Sequence, residues 1–386
     1  MKRRINNEQS RNRSKSRAVF FLRGIDDAIF EHYNEQKEQT FNGVVDTMDT
    51  VRNPLTIPID IIGAILSFLE FDDVAKFSLV SSDWSNAISS VDNLKIDLGE
   101  NSEKKLRFAM TRLRNLTSIH MICSNGDFDS DIMEEFLSTC IVSKKLKRFS
   151  LDAPYFILSI ENALKSLFGS NAPNLELLRF SGCRFATIVD LIDLLRGKKR
   201  LKVLDLSCIR FNDDSTYRNQ PSVCRALSPC ISELCNLEEL NLFGWDLQHF
   251  DEEKLFSGLK RLMKLNARGA TDASLTALAK HCTGLQMLGI TDCFSDISIQ
   301  AVLNVLRVNS RIKTLRMPYV MGTGSGVVHM KEVCEASKTI ESVTVGLRLW
   351  HSTVDPTTSW KEKEEMMIQA TAEASNNRVS LRVHVW

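Results

Sequence analysis

The sequence predicts an α/β solenoid of stacked strand–helix units preceded by a small all-α module. A hexamer of spaced apolar residues recurs nine times between Leu116 and Ile340. Stretches with helical apolar spacing separate the hexamers. Ahead of them, residues 55–87 carry helical spacing opened by a proline, Pro58. The 386 residues suit two or three domains, and 43% hydrophobic with 25% charged residues is the mix of a globular protein with ample core material.

Residues 1–50 form a basic lead-in. Residues 1–17 hold seven basic side chains against the single acid Glu8. So polar a stretch has too little apolar surface to offset its ordering entropy, and disorder is expected. The basic residues are scattered, so a solvated tail is expected ahead of a nuclear-import signal. The whole chain carries only +1, which gives no general argument for nucleic acid or membrane.

Residues 51–92 form the helical module. Its core reads LTIPIDIIGAILSFLEFDDVAKFSLVSSDWSNA over residues 55–87. Pro58 suits a first helical turn, where its missing N–H is not needed. Ile61, Ile65, Leu66 and Leu69 lie on one stripe. Asp72 is placed to cap the next helix, with Asp73 near its positive end. A hairpin this short cannot hide so much apolar surface alone, so it needs a partner or the repeats to pack on.

Residues 93–386 form the repeats and their cap. The hexamers start at Leu116, Leu146, Leu175, Leu201, Leu237, Leu262, Leu285, Ile312 and Ile340, a mean spacing of 28 residues. In Leu201-x-x-Leu204-x-Leu206 the last two apolar residues are two apart, so a strand puts both on one face. One unit cannot bury its apolar faces; stacked units can, between a sheet and a row of helices. The sheet then lies on the concave side, because helices are wider than strands. The polar stretch Phe211–Cys224 and the Gly322–Gly326 run GTGSG break the period as loops. The latter lacks the Lys-Ser/Thr of a phosphate loop. Trp360–Ala374 reads as a charged helix and Leu381, Val383 and Val385 as a closing strand.

The ten cysteines follow no disulfide framework and no zinc spacing, so reduced thiols in the cytoplasm or nucleus are expected, with no metal and no cofactor. There is no signal-peptide core and no membrane-length apolar run. Cys183, Ile209, Trp245, Ala270 and Cys293 fill one slot, three residues after the last motif apolar residue. A buried stacking role follows for all five.

Two resemblances carry the functional expectation. The hexamers, and above all Thr271–Cys293, TDASLTALAKHCTGLQMLGITDC, resemble the leucine-rich repeat family in its cysteine-containing subtype. Residues 55–87 resemble the F-box family: Ile57-Pro58 stands for its Leu-Pro, and Asp72-Asp73, Leu79-Val80-Ser81 and Trp84 follow in order. Ile57 and Ile62 replace leucines of that pattern, and Asp60 stands where Glu is common. The resemblance implies docking to the Skp adaptor and, through it, to the cullin and RING subunits of a ubiquitin ligase. Candidate adaptor-binding residues are Pro58, Ile61, Ile62, Ile65, Leu66, Leu69, Val80 and Trp84, some of which serve the module's own core.

A target protein is expected on the strand residues that face away from the core. The candidates are Arg148, Arg179, Asp205, Asn241, Phe243, Lys264, Arg268, Met287 and Arg316. Ser150 alternates onto the same face. No nucleophile motif, HExxH or distinct carboxylate pair is present, so the expected role is a non-catalytic substrate receptor, with a repeat scaffold outside a ligase as the alternative.

Overall fold

Helix α1, Ile59–Ser67, packs closely on the turn Ala87–Ser90, and a side chain at Gly63 would require Ser90 to move. A Cβ on Gly63 would meet Ser90 Oγ at 2.1 Å. The computed structural model describes residues 59–67, 71–99, 102–113, 115–123, 132–133, 135–137, 139, 145–153, 172–185, 187–211, 221–291, 297–318, 326–347 and 360–385. All belong to the unit Ile57–Trp386. The basic tail, Pro58, Leu69, Cys293, residues 212–220 and most of the GTGSG run lie outside the described residues.

Helices α2, Phe71–Phe77, and α3, Ser82–Ala87, complete the helical module and lead into a 3₁₀ turn, Ile88–Ser90. Ser81 caps α3 by accepting from the Trp84 amide at 3.4 Å. The expected cap on α2 is corrected: the helix already includes Phe71, so Asp72 and Asp73 both lie in its first turn and act on its positive end. Ile62, Leu66, Phe71, Val74, Ala87 and Ile88 are buried together. The module joins the repeats through α4, Ser102–Arg112. Phe71 meets Phe108 edge to face at 5.6 Å, and Lys105 Nζ lies 3.2 Å from Asp72 Oδ1.

The repeats build one sheet of eleven strands among the described residues. In chain order the strands are β1 Asn93–Asp97, β2 Ser118–Ile122, β3 Arg148–Asp152, β4 Leu177–Ser181, β5 Arg184–Phe185 and β6 Val203–Asp205. Next come β7 Arg210–Phe211, β8 Glu239–Asp246, β9 Lys264–Arg268, β10 Met287–Thr291, β11 Thr314–Pro318, β12 Ser342–Leu347 and β13 Ser380–Val385. The short β5 and β7 pair separately, and every other strand joins its neighbour in parallel.

Register explains the hexamer. Its middle apolar residue forms one continuous row: Leu94, Ile119, Phe149, Leu178, Leu204, Leu240, Leu265, Leu288, Leu315, Val343, Leu381. The row also shows a hexamer that the reading above passes over, Val91-x-x-Leu94-x-Ile96, which makes β1 the first strand of the stack.

Helices α5 Ile188–Leu195, α6 Pro221–Ser232, α7 Glu252–Ser257, α8 Asp272–His281 and α9 Ile299–Val308 return the chain between strands. Helices α10 Gly326–Ala336 and α11 Trp360–Ser375 do the same near the end. Side chains of Thr187, Asp251, Thr271 and Ser298 accept backbone N–H groups at four helix starts. The core lies between sheet and helices, and Cys183, Ile209, Trp245 and Ala270 are buried in it, as their shared slot predicts.

Candidate functional site

Two surfaces stand out, one on the helical module and one on the sheet. In the module, α1 turns Ile62 and Leu66 inward, one helical turn apart, and both are buried. They are members of the candidate set that build the module's own core. Ile65 is half-buried. Pro58, Leu69 and the side chain of Ile61 fall outside the described residues.

The aliphatic surface lies instead on a tight turn and on the start of α1. Leu79 N donates to Lys76 O and Val80 N to Phe77 O, both at 3.0 Å, which closes the turn after α2. Their side chains are left in water, Leu79 at 86% and Val80 at 64% exposure, with Ile59 at 47%. Below the turn, Trp84 is half-buried and stacks on Phe77 with ring centroids 4.9 Å apart. Val80 thus belongs to the exposed set, whereas Trp84 packs on Phe77. Leu79 and Ile59 are missing from the sequence-based set, although Leu79 stands inside the quoted Leu-Val-Ser motif.

On the sheet face, alternation places the expected side chains away from the core. Arg148, Arg179, Phe243, Lys264 and Arg316 are exposed, and Asp205, Asn241, Arg268 and Met287 are half-buried. Ser150 departs from expectation. Its side chain is short and sits in register between His120 and Arg179, and it is buried.

Several of these groups hold one another. Asn241 Nδ2 donates to Asp205 Oδ2 at 2.9 Å, and Asn266 Nδ2 donates to Asn241 Oδ1 at 3.0 Å. The Ser207 amide donates to Asp205 Oδ1 at 2.9 Å. Lys264 Nζ lies 2.5 Å from Glu239 Oε1. Arg268 is taken up within the chain: its Nε is 3.1 Å from Oδ1 of the buried Asp246. Arg268 therefore braces the irregular end of β8 more than it offers a free cation.

Burial keeps the interior thiols inert. It pushes Cys123, Cys224 and Cys282 up to about 12, with nearby carboxylates adding to the first two, and it also raises Cys183 well above the ordinary value. Cys183 Sγ lies 3.4 Å from the Leu151 carbonyl, in a packing role. Among the described residues no group of three or more His, Cys, Asp and Glu is placed to hold a metal ion. No described helix is long and apolar enough to cross a membrane.

The F-box domain family matches residues 54–96. That span covers the three helices and runs into β1. No curated protein matches the chain. Among solved structures, the chain is similar to the leucine-rich repeat-containing protein LegL7 from Legionella pneumophila. Identity is 13%, the TM-score is 0.40, and the match covers 76% of this chain and 90% of that one. It is also similar to the leucine-rich repeat protein LIC12759 of Leptospira interrogans, at 11% identity and a TM-score of 0.29, over 86% of this chain and 100% of that one. The chain thus carries an F-box domain at residues 54–96, followed by recurring hexamers in one parallel register that build a leucine-rich repeat solenoid.

Proposed function

We propose that this chain is the substrate-recognition subunit of a cullin-based ubiquitin ligase of the SCF type. Its F-box docks on the Skp adaptor, which links it to the cullin and RING subunits, and its repeats bind a target protein. The observation that carries the reading is the exposed aliphatic turn. Leu79 and Val80 stand in water on a module whose Ile62, Leu66, Val74 and Ile88 pack inward. Exposed aliphatics clustered on a helical module suit helix-in-groove burial against a partner.

The mechanism is one of assembly. The F-box fixes one end of the chain to the ligase, and the sheet face holds the target. Target lysines are then raised to a high effective concentration near the ubiquitin carrier, while the chemistry is done by other subunits. The line from Asp205 through Asn241 to Asn266 supports this role, because a fixed polar row offers a rigid surface for recognition.

Affinity capture of the full chain tests the proposal. The wild type retains the Skp adaptor, and Leu79→Asp with Val80→Asp abolishes retention while leaving the thermal unfolding of the repeats unchanged. A folded wild-type chain that never retains the adaptor defeats the ligase reading and leaves a repeat scaffold acting outside a ligase.

A further inference from the structure

The residue just before each hexamer forms a row along the edge where the strands begin. From β3 to β11, register puts cations in this row on every second strand: Lys145 before β3, Arg200 before β6, Arg261 before β9 and Arg311 before β11, whereas β1 and β13 at the two ends have Ser90 and Asn377. The strands between bring Asn115, Asn174, Asn236, Gly284 and Thr339 to the same row. All four cations are exposed.

Three of the cations are tied to the neutral neighbour. Lys145 Nζ donates to Asn115 Oδ1 at 2.7 Å, Arg200 Nη1 to Asn174 Oδ1 at 2.5 Å, and Arg261 Nη1 to Asn236 Oδ1 at 2.7 Å. An amide oxygen fixes a cation in place without cancelling its charge. Among the described residues, no carboxylate lies within ion-pair distance of Arg200, Arg261 or Arg311.

The row two residues further on keeps this phase at six of nine strands, with Thr117, Met263 and Gln286 at the other three. Lys147, Lys202 and Lys313 stand on the cation strands, and Glu176, Glu238 and Glu341 on those between. Lys202 pairs with Glu176 at 3.0 Å and Lys313 with Glu341 at 2.9 Å.

Helix ends do not account for this pattern. A basic residue near a helix C-terminus is favourable at every unit, whereas the cations recur at every second one. With strands about 4.8 Å apart, the period is about 10 Å. That is about one turn of a polyproline II segment, three residues at about 3.1 Å each, which sets every third side chain on one face.

We propose that this edge docks an acidic segment of a protein partner in the polyproline II conformation, with a carboxylate at every third residue facing a cation. The inference rests on the reading that the repeats hold a target protein. The interleaved glutamates favour a polypeptide over nucleic acid, because a phosphate at every residue would set charge against Glu176, Glu238 and Glu341.

The test uses the full chain and three probes: a labelled peptide with glutamate at every third residue and proline between, a peptide of the same composition with its glutamates in one block, and polyuridylate. Wild type binds the spaced peptide more tightly than either other probe. Changing Lys145, Arg200, Arg261 and Arg311 together to Gln keeps N–H donors for the asparagines and weakens spaced-peptide binding by about tenfold or more. If that variant fails to fold by thermal unfolding, Arg200→Gln with Arg261→Gln is expected to weaken binding by about threefold. Equal affinity of the folded variant and wild type overturns the proposal. So does equal binding of the block peptide, as a flexible basic tail would give, or tighter binding of polyuridylate. Adaptor capture run on the same preparations reports separately on the ligase reading.

Discussion

The indole Nε1 of Trp245 donates to the backbone carbonyl of Leu206 at 2.8 Å, one strand away in the sheet. The ring also meets Phe211 and Phe250, at 6.1 and 6.0 Å between centroids, and is fully buried. Trp245→Ala removes the rings' contacts and the bond together and should cost about 3–5 kcal/mol. Trp245→Phe keeps much of the volume but leaves the Leu206 carbonyl without this donor, at about 1–3 kcal/mol. Urea unfolding midpoints check both, and a Phe variant as stable as wild type would show that the bond contributes nothing.

Two glycines make a matched pair. Gly269 has φ +61°, and a Cβ there would lie 3.0 Å from Asp246 Cα. Gly269→Ala should destabilise the chain by about 1–3 kcal/mol. At Gly284 the nearest neighbour of a Cβ is the Leu262 carbonyl at 3.7 Å, so Gly284→Ala should stay within about 0.5 kcal/mol. Thermal unfolding separates the two, and similar shifts for both would count against the strain at Gly269.

The buried thiols predict an alkaline limit to stability. Cys123, Cys224 and Cys282 titrate at about 12 in the fold, against 9.0 as the ordinary value. Between these values the folded state keeps protons that the unfolded state has lost. Their contribution is full below pH 9.0 and declines as pH rises to about 12. Unfolding midpoints measured across this window should fall, and replacing all three by Ser or Ala should flatten the slope. At neutral pH a thiol reagent should label the exposed Cys235 long before Cys183 or Cys282.

In the F-box, support and contact separate. Trp84→Ala should lower the module's stability by about 2 kcal/mol, because the ring lies against Phe77. Leu79→Ala should leave it within about 0.5 kcal/mol, since Leu79 touches mainly water. Hydrogen exchange in α1 to α3 reads both, and faster exchange in the Leu79 variant would mean that this side chain packs inward.

The fold was legible because its period is simple. Apolar residues three and two apart mark each strand, and register follows once those residues share a row, as Leu204, Leu240 and Leu265 do. Val91-x-x-Leu94-x-Ile96 escaped because it begins with Val beside the F-box motif. The site was less legible. Alternation gives the outward face but not what lies beside a side chain, so it placed Ser150 outward and left Arg268 unattached to Asp246. Helical spacing groups Ile62 and Leu66 with the module's other aliphatics, and only packing shows which of them turn inward. The alternating cations escaped for another reason: their period is two units, and the hexamers repeat every one.

Each long strand pairs with the long strands just before and after it in the chain, separated only by the short β5 and β7 at two points. Among the described residues, no pairing waits for a distant segment to arrive. A nascent chain leaving the ribosome can therefore add one strand at a time to a growing edge, starting from the F-box end. A truncation in the last units should leave the earlier ones assembled, with a new sheet edge exposed at the break.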